Sequence, residues 1–454
     1  MEKGTTVGSQ KIAALFDAGT FVETGAYMKR ADDTMTGVVC GYGAIDGKLV
    51  YAFSQDSDCK KGAFDALQAE KIAKLYELAM KNGAPVIGMF DSVGAVVSDG
   101  AQAMSAYGKL LKVVSDASGV IPQIAIITGV CAGMSATVAA MFDVVVTIKE
   151  QSKLFVNAPF LIGKEVGESA YTMQSGLSSV LAENEADAIA KAAKFVAMLP
   201  SNNEEGAICN ENADDENRKV SVAGLTGKAL IETVADAASF VALGDGYADE
   251  MITGIATLGG VTCGVIANNT EKENGTLTAN GAKKAAKLVA LCDSFSIPVV
   301  TLTDSVGVEM SREAEDTALA AQLGKLAMAY ATATTAKITA VVGKAYGAAF
   351  TLMGSKALGA DMVYALPEAE ISVMAPASAV AFLWNDRITE ATTRSDLEEK
   401  WKKECASATA AAADGSIDDV IDPAELRQRI CSAVYMLMMK NGASYARKHC
   451  NLPL

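Results

Sequence analysis

Histidine is almost absent: the chain of 454 residues has one, His449, in its C-terminal tail. That argues against a histidine base or a multi-histidine metal centre and leaves His449 a structural or surface residue. The nine cysteines form no C-x-x-C pair, so neither a zinc ribbon nor a secreted disulfide framework is written, and no metal site is expected. Positive charge is short. With 39 Lys and Arg against 54 Asp and Glu the net charge is −15, which excludes a broad nucleic-acid footprint or an anionic-membrane patch. A polyanionic ligand would need lysines clustered locally. The first residues lack the charged start and apolar run of a signal peptide. No residue from Ala117 to Phe142 is charged, a length that could span a bilayer. Its Ser118, Gly119, Pro122, Gln123 and glycines fit a buried strand and helix instead. The expected location is therefore the cytoplasm, with any peripheral membrane association made through a partner subunit.

Half of the residues are hydrophobic and 20% are charged, the balance of a well-buried globular chain with room for two or three domains. Residues 119–143 read as a strand (Ile121 to Thr128), a turn bracketed by Gly129 and Gly133, and a helix from Met134 to Phe142. A strand that restarts as a helix leaves N–H groups unpaired at the helix start, a place to hold an anion. By itself this is also an ordinary α/β core.

The chain writes the arrangement twice. The run from Lys284 matches the run from Lys71: Lys71/Lys284, Ala73/Ala286, Lys74/Lys287, Leu75/Leu288, Leu78/Leu291 and Pro85/Pro298 pair at 298 − 85 = 213 residues. Asp91-Ser92-Val93-Gly94 recurs as Asp304-Ser305-Val306-Gly307, and Gly129 and Gly133 recur as Gly343 and Gly347. Phe21, Val22 and Gly25 return as Phe240, Val241 and Gly244. So long a period is a duplicated domain and not a solenoid. The boundaries read as a first domain over residues 1–200, an acidic polar linker over 201–222 and a second domain over 223–454. Two copies of one anion-holding turn suggest a site with two anionic centres.

LFDAGTFVETGAY, EKIAKLYELAMKNGAPVIGMFDS, ASGVIPQIAIITGVCAG, KITAVVGKAYGAAFTLMGSKALGAD, PEAEISVMAP, DDVIDPAELRQRI and KHCNLPL together resemble the carboxyltransferase subunits of biotin-dependent acyl-CoA carboxylases and decarboxylases. The resemblance covers nearly the whole chain. It implies an α/β fold of two tandem crotonase-like (ββα-spiral, ClpP/crotonase) domains from an internal duplication. It also implies a homo-oligomer, a dimer or a trimer of dimers, with the site formed between the first domain of one subunit and the second of another. The activity implied is transfer of a carboxyl group between biotin on a separate biotin carboxyl carrier protein and an acyl-CoA thioester. A biotin carboxylase or a membrane sodium-pump decarboxylase subunit is the further partner implied.

Such a transfer develops negative charge on two oxygens, and backbone donors suit that without a titrating side chain. By resemblance the acyl-CoA oxyanion hole falls on Gly133 and Met134, bordered by Gly129, Cys131, Ala132 and Gly94. The biotin hole falls on Ala348 and Ala349, bordered by Gly343, Tyr346, Gly347, Thr351, Val306 and Gly307. Biotin would itself supply the chemistry of CO2 and proton transfer, so no general base is required. Cys131 has no base in sight and is expected to be buried. Asp91 and Asp304 read either as paired general acids or, more simply, as carboxylates capping the next turn. Lys60 and Lys61, at the start of a helix, are the candidate cations for CoA phosphates, whereas Lys71, Lys74, Lys284 and Lys287 read as solvated helix-face charge.

The chain departs from the family pattern in places. Val93 and Val96 replace a glycine and an arginine, the loop after FVNAP is shortened, and Ser305-Val306-Gly307 and Ala321-Gln322-Leu323 replace Pro-Gly-Phe and Arg-His-Gly. Ala348 and Thr351 replace a glycine and an aspartate. These changes leave the acyl group open, with a slight lean to decarboxylation by analogy. They also leave two alternatives: a catalytically silent scaffold subunit, and a crotonase-type acyl-CoA hydrolase or isomerase.

Overall fold

A computed structural model describes residues 6–30, 34–211 and 214–440, with Gly442, Asn451 and Pro453. His449 and most of the closing KHCNLPL run lie outside the described residues. The chain divides into two compact units, Met1–Gly206 and Ala207–Leu454.

The first unit carries β1 (Val22–Thr24), β2 (Val38–Ile45), β3 (Lys48–Gln55), β4 (Val86–Ser92), β5 (Gln123–Ala132), β6 (Val144–Ile148), β7 (Lys153–Phe155) and β8 (Val180–Ala182). They order as β1-β2-β3-β4-β5-β6-β8, with β7 added to β5. The second unit carries β9 (Val241–Ala242), β10 (Met251–Leu258), β11 (Val261–Asn268), β12 (Val299–Ser305), β13 (Lys337–Tyr346), β14 (Met362–Ala365), β15 (Glu370–Ser372) and β16 (Asp419–Val420). Its order, β9-β10-β11-β12-β13-β14-β16 with β15 on β13, repeats the first. In each sheet the opening three strands are antiparallel and the later ones parallel. The two-sheet α/β duplication expected from the repeat is observed.

Matched residues of the repeat do matched work. The main helices start at a side-chain cap, Asp65 accepting from Gln68 N–H at 3.0 Å and Thr278 from Gly281 N–H at 2.9 Å. Asp17 accepts from the N–H groups of Asp46 and Gly47 at the β2–β3 hairpin, and Asp236 does the same for Gly259 and Gly260. In the second unit Arg427, fully buried on the helix Leu426–Leu437, pairs with Asp236 at 2.7 Å and donates to the Val234 carbonyl. Burial pushes the Asp236 carboxyl up, but the Gly260 N–H and Arg427 outweigh it and hold it below its ordinary value.

Three readings change. Lys71 and Lys284 are not solvated: they are 4% and 8% exposed. Lys71 Nζ donates to the Val38 carbonyl at 2.9 Å and Lys284 Nζ to the Tyr247 carbonyl at 2.7 Å, while their stems pack on Gly25 and Gly244. Helical periodicity put them at an outer face, but the segments joining β1 to β2 and β9 to β10 fold over that face. The polar stretch 201–222 is not a free tether. Asn210 N–H donates to the Gly260 carbonyl, Arg218 donates to the Thr233 and Ala235 carbonyls, and Val220 and Val222 join the second unit's core. Backbone hydrogen bonds hold a segment whose composition is too polar to reveal it. Last, β5 runs on through Gly129 to Ala132, so the turn reduces to Gly133. The uncharged residues 117–142 are split between β5 and the helix Met134–Ala140, and no helix among the described residues is long and apolar enough to cross a membrane.

Arg427→Leu should lower stability by about 3–5 kcal/mol, read from the urea midpoint, because Asp236 is left buried without its cation. Burial lowers the Lys284 ammonium to about 8. Between that pH and the roughly 10.4 of a free lysine the unfolded chain holds more protons, so this group makes stability rise with pH. The gap in thermal midpoint between wild type and Lys284→Met should therefore widen in favour of wild type from pH 8 to pH 10.

Candidate active site

Two equivalent bends organise the two units. β5 pairs with β6 over residues 124–127 and with β7 over 130–132; β13 pairs with β14 over 338–341 and with β15 over 344–346. At each change of partner a glycine lies against the aspartate that ends the neighbouring strand. A methyl on Gly129 would stand 2.3 Å from Asp91 Oδ1, and one on Gly343 2.4 Å from Asp304 Oδ1, so only glycine fits. The same carboxylates accept the next N–H, from Val130 at 3.3 Å and from Lys344 at 2.8 Å. The capping reading of the aspartates describes this geometry. Asp91 is also paired with Lys11 at 3.0 Å. Asp304 makes no ion pair among the described residues, and burial raises its carboxyl against the opposing N–H and charge of Lys344.

Past the bend, Gly133 and Gly347 take φ +61° and +57°, a conformation that strains any L side chain, and a short helix starts at Met134 and at Ala348. Gly133 N–H donates to the Phe155 carbonyl at 2.9 Å and Gly347 N–H to the Ser372 carbonyl at 2.8 Å. The first donors without an acceptor inside their helices are therefore those of Met134 and Ala348. In the second unit the expected pair, Ala348 and Ala349, lies at this helix start. In the first it moves the donors one residue on, because Gly133 already completes the β5–β7 ladder.

The clefts beside the two turns differ in chemistry. The first, about 520 Å³, is walled by Val93, Val97, Met104, Met134, Phe155 and Phe160, with no charged side chain among the described residues. The second, about 470 Å³, is walled by Lys344, Tyr346, Glu370 and Lys402, together with Val306, Glu398 and Glu399. Lys344 and Tyr346 stand where the first unit has Val130 and Ala132.

The carboxyl transferase domain family matches residues 1–452. The chain belongs to the carboxyl transferase family. It is 35% identical to the methylmalonyl-CoA decarboxylase subunit alpha of Veillonella parvula, over 100% of this chain and 94% of that one. It is 32% identical to the mitochondrial propionyl-CoA carboxylase beta chain of Sus scrofa, over 100% and 89% of the two chains. The transcarboxylase 12S hexamer, solved with methylmalonyl-coenzyme A bound, superposes with a TM-score of 0.94 at 33% identity, covering 98% of this chain and 92% of that one.

In this carboxyl transferase the other predicted residues are placed as follows. Gly94 and Ala132 line the first cleft; Gly94 N–H donates to Ser92 Oγ at 3.2 Å. Cys131 is fully buried, and that burial pushes its thiol well up. Gly307 repeats Gly94 by donating to Ser305 Oγ at 3.3 Å, and Thr351 is exposed on the helix Ala348–Leu352. Lys60 and Lys61 do not start a helix. They form an exposed left-handed turn, Lys60–Gly62, whose Lys61 carbonyl accepts from Val93 N–H beside the first cleft. The second unit has Glu273 and Asn274 in the same turn, so the basic pair belongs to one side only. Sequence reasoning missed Glu370 and Lys402: Glu370 stands where the first unit has Lys153, and Lys402 lies on a helix that the first unit lacks.

Gly343→Ala should cost about 1–3 kcal/mol in denaturant unfolding, since its methyl meets a carboxylate and strand backbone. Adding Asp304→Ser should recover part of that loss, so the double variant is more stable than the sum of the singles.

Proposed function

We propose that this chain is the carboxyltransferase subunit that moves a carboxyl group between an acyl-CoA held at the first cleft and biotin presented at the second by a separate carrier protein. The observation that carries the reading is the pair of equivalent helix starts, Met134 and Ala348, one beside an apolar cleft and the other beside a charged one. When the bond from the α-carbon to its carboxyl breaks, the electron pair passes to the thioester oxygen. Met134 N–H is placed to stabilise that oxygen, with the acyl chain against Val93, Met104 and Phe155. Lys60 and Lys61 would meet the CoA phosphates. Biotin supplies the ureido group that takes or gives up the carboxyl. The exposed Ala348, the charged Lys344 and the neutral Tyr346 suit a ureido oxygen and a carboxylate.

The relatives named above are decarboxylase and carboxylase subunits, and we extend their acyl-CoA chemistry to this chain, in either direction. The hexamer of transcarboxylase 12S supports an oligomer here too. So do exposed apolar side chains, Phe160 at 83% in the first cleft and Phe382 at 79% on the helix Pro376–Leu383. A cytoplasmic location goes with this reading, and a membrane partner would bring any membrane contact.

The test is transfer of labelled carboxylate from malonyl-type CoA esters to free biotin, without ATP. Transfer from any ester supports the reading; no transfer, with no CoA binding by calorimetry, supports a silent assembly subunit. Met134→Pro should lower kcat by roughly 10²–10³ while the protein stays folded, because proline is tolerated at the first helical position yet removes the donor.

A further inference from the structure

The second unit carries an arm that is only a short segment in the first. After β7 the chain reaches its next paired helix, Ser169–Gln174, through residues 156–168. After β15 the equivalent path to the helix Ala408–Ala413 takes residues 373–407: the short helix Pro159–Ile162 of the first unit becomes Pro376–Leu383, and a second helix, Arg394–Cys405, is added. Trp384 and Trp401 meet edge to face at 5.0 Å and join the two helices into one piece. Ala375, Pro376, Ser395, Glu398, Glu399 and Lys402 of this arm form the outer wall of the second cleft, opposite Lys344 and Tyr346.

One cluster ties the arm to the turn. Glu370 on β15 accepts from the Tyr346 hydroxyl on β13 and pairs with Lys402 on the arm at 2.5 Å. Tyr346 is 5% exposed, and burial followed by the Glu370 carboxylate pushes its hydroxyl up, so it stays a donor. Trp401 Nε1 adds a bond to Ser372 Oγ at 3.4 Å. Glu370 is in register with Lys344, the cation at the cleft floor, and its own charge is taken up by Lys402 and Tyr346. Among the described residues Lys344 makes no ion pair, and it stays exposed to the cleft. The first unit has Ala132 and Lys153 in place of Tyr346 and Glu370, so this cluster arose on one side of the duplication.

We propose that Tyr346, Glu370 and Lys402 form a latch that holds the 376–405 arm over the second turn and so positions the biotin-side ligand. The three act as positioning residues, and the inference rests on the assignment of biotin to the second cleft. Without Lys402 the arm swings away and Glu370 turns to Lys344, withdrawing the free cation from the cleft.

The experiment compares wild type with Lys402→Met, Glu370→Gln and the conservative Lys402→Arg, measuring KM for free biotin and for the CoA ester separately. Lys402→Met and Glu370→Gln should raise the biotin KM by roughly tenfold and leave the ester KM unchanged, as expected of a misplaced wall, and Lys402→Arg should restore it. An unchanged biotin KM, or equal rises in both constants, would overturn the latch. If wild type transfers nothing to biotin, the carboxyltransferase reading has failed on its own, and amide exchange then decides the latch. Faster exchange of Lys402→Met confined to residues 343–349 and 394–405 supports it, and unchanged exchange overturns it.

Discussion

The contact on which both units depend is a carboxylate against a glycine. Asp91 fills the space beside Gly129, and Asp304 the space beside Gly343, and each accepts the N–H that follows. A central parallel strand normally keeps the same neighbours along its length. Here the carboxylate takes the place of a ladder partner at the point of exchange, and the strand leaves one neighbour for another without an orphaned N–H. The register shifts between Phe90 and Ser92 and between Thr303 and Ser305 mark the same point from the other side. That bend aims the next turn outward from the sheet, and the left-handed Gly133 and Gly347 complete the reversal into a helix.

Around this shared backbone the two copies differ in side chains and in the length of the segment after β7 and β15. Lys60 and Lys61 correspond to Glu273 and Asn274, and Val130 and Ala132 to Lys344 and Tyr346, while Lys11 pairs with Asp91 in the first unit alone. The backbone donors are alike because a helix start offers the same N–H whatever its side chain. The walls are unlike, one apolar and the other lined by charged side chains.

The supporting frame is polar as well as apolar. Asp17 and Asp236 each hold a hairpin by two N–H groups, and Lys71 and Lys284 each reach a backbone carbonyl from the main helix. Because the donors and acceptors are backbone atoms, these contacts fix the antiparallel strands in place without depending on the neighbouring side chains. The cost is a buried ammonium in each unit, met by carbonyl oxygens and, for Lys71, by Glu23 at 3.5 Å.

The sequence by itself determined the duplication, the α/β class and the places where the turns fall, because glycine, aspartate and strand patterns are local and recur at one offset. Even Phe21 with Gly41 and Phe240 with Gly254 are a packed pair written twice, the ring standing where a side chain would be. Tertiary structure decided which N–H is available, since Gly133 is engaged by Phe155 from a strand more than twenty residues away in the chain. It decided that Lys71 and Lys284 are interior, because burial depends on what folds over a helix and not on the helix's own period. It also decided that Tyr346, Glu370 and Lys402 meet. Three residues on two strands and an inserted arm carry no spacing signal, and only the sheet that brings their strands together makes them neighbours.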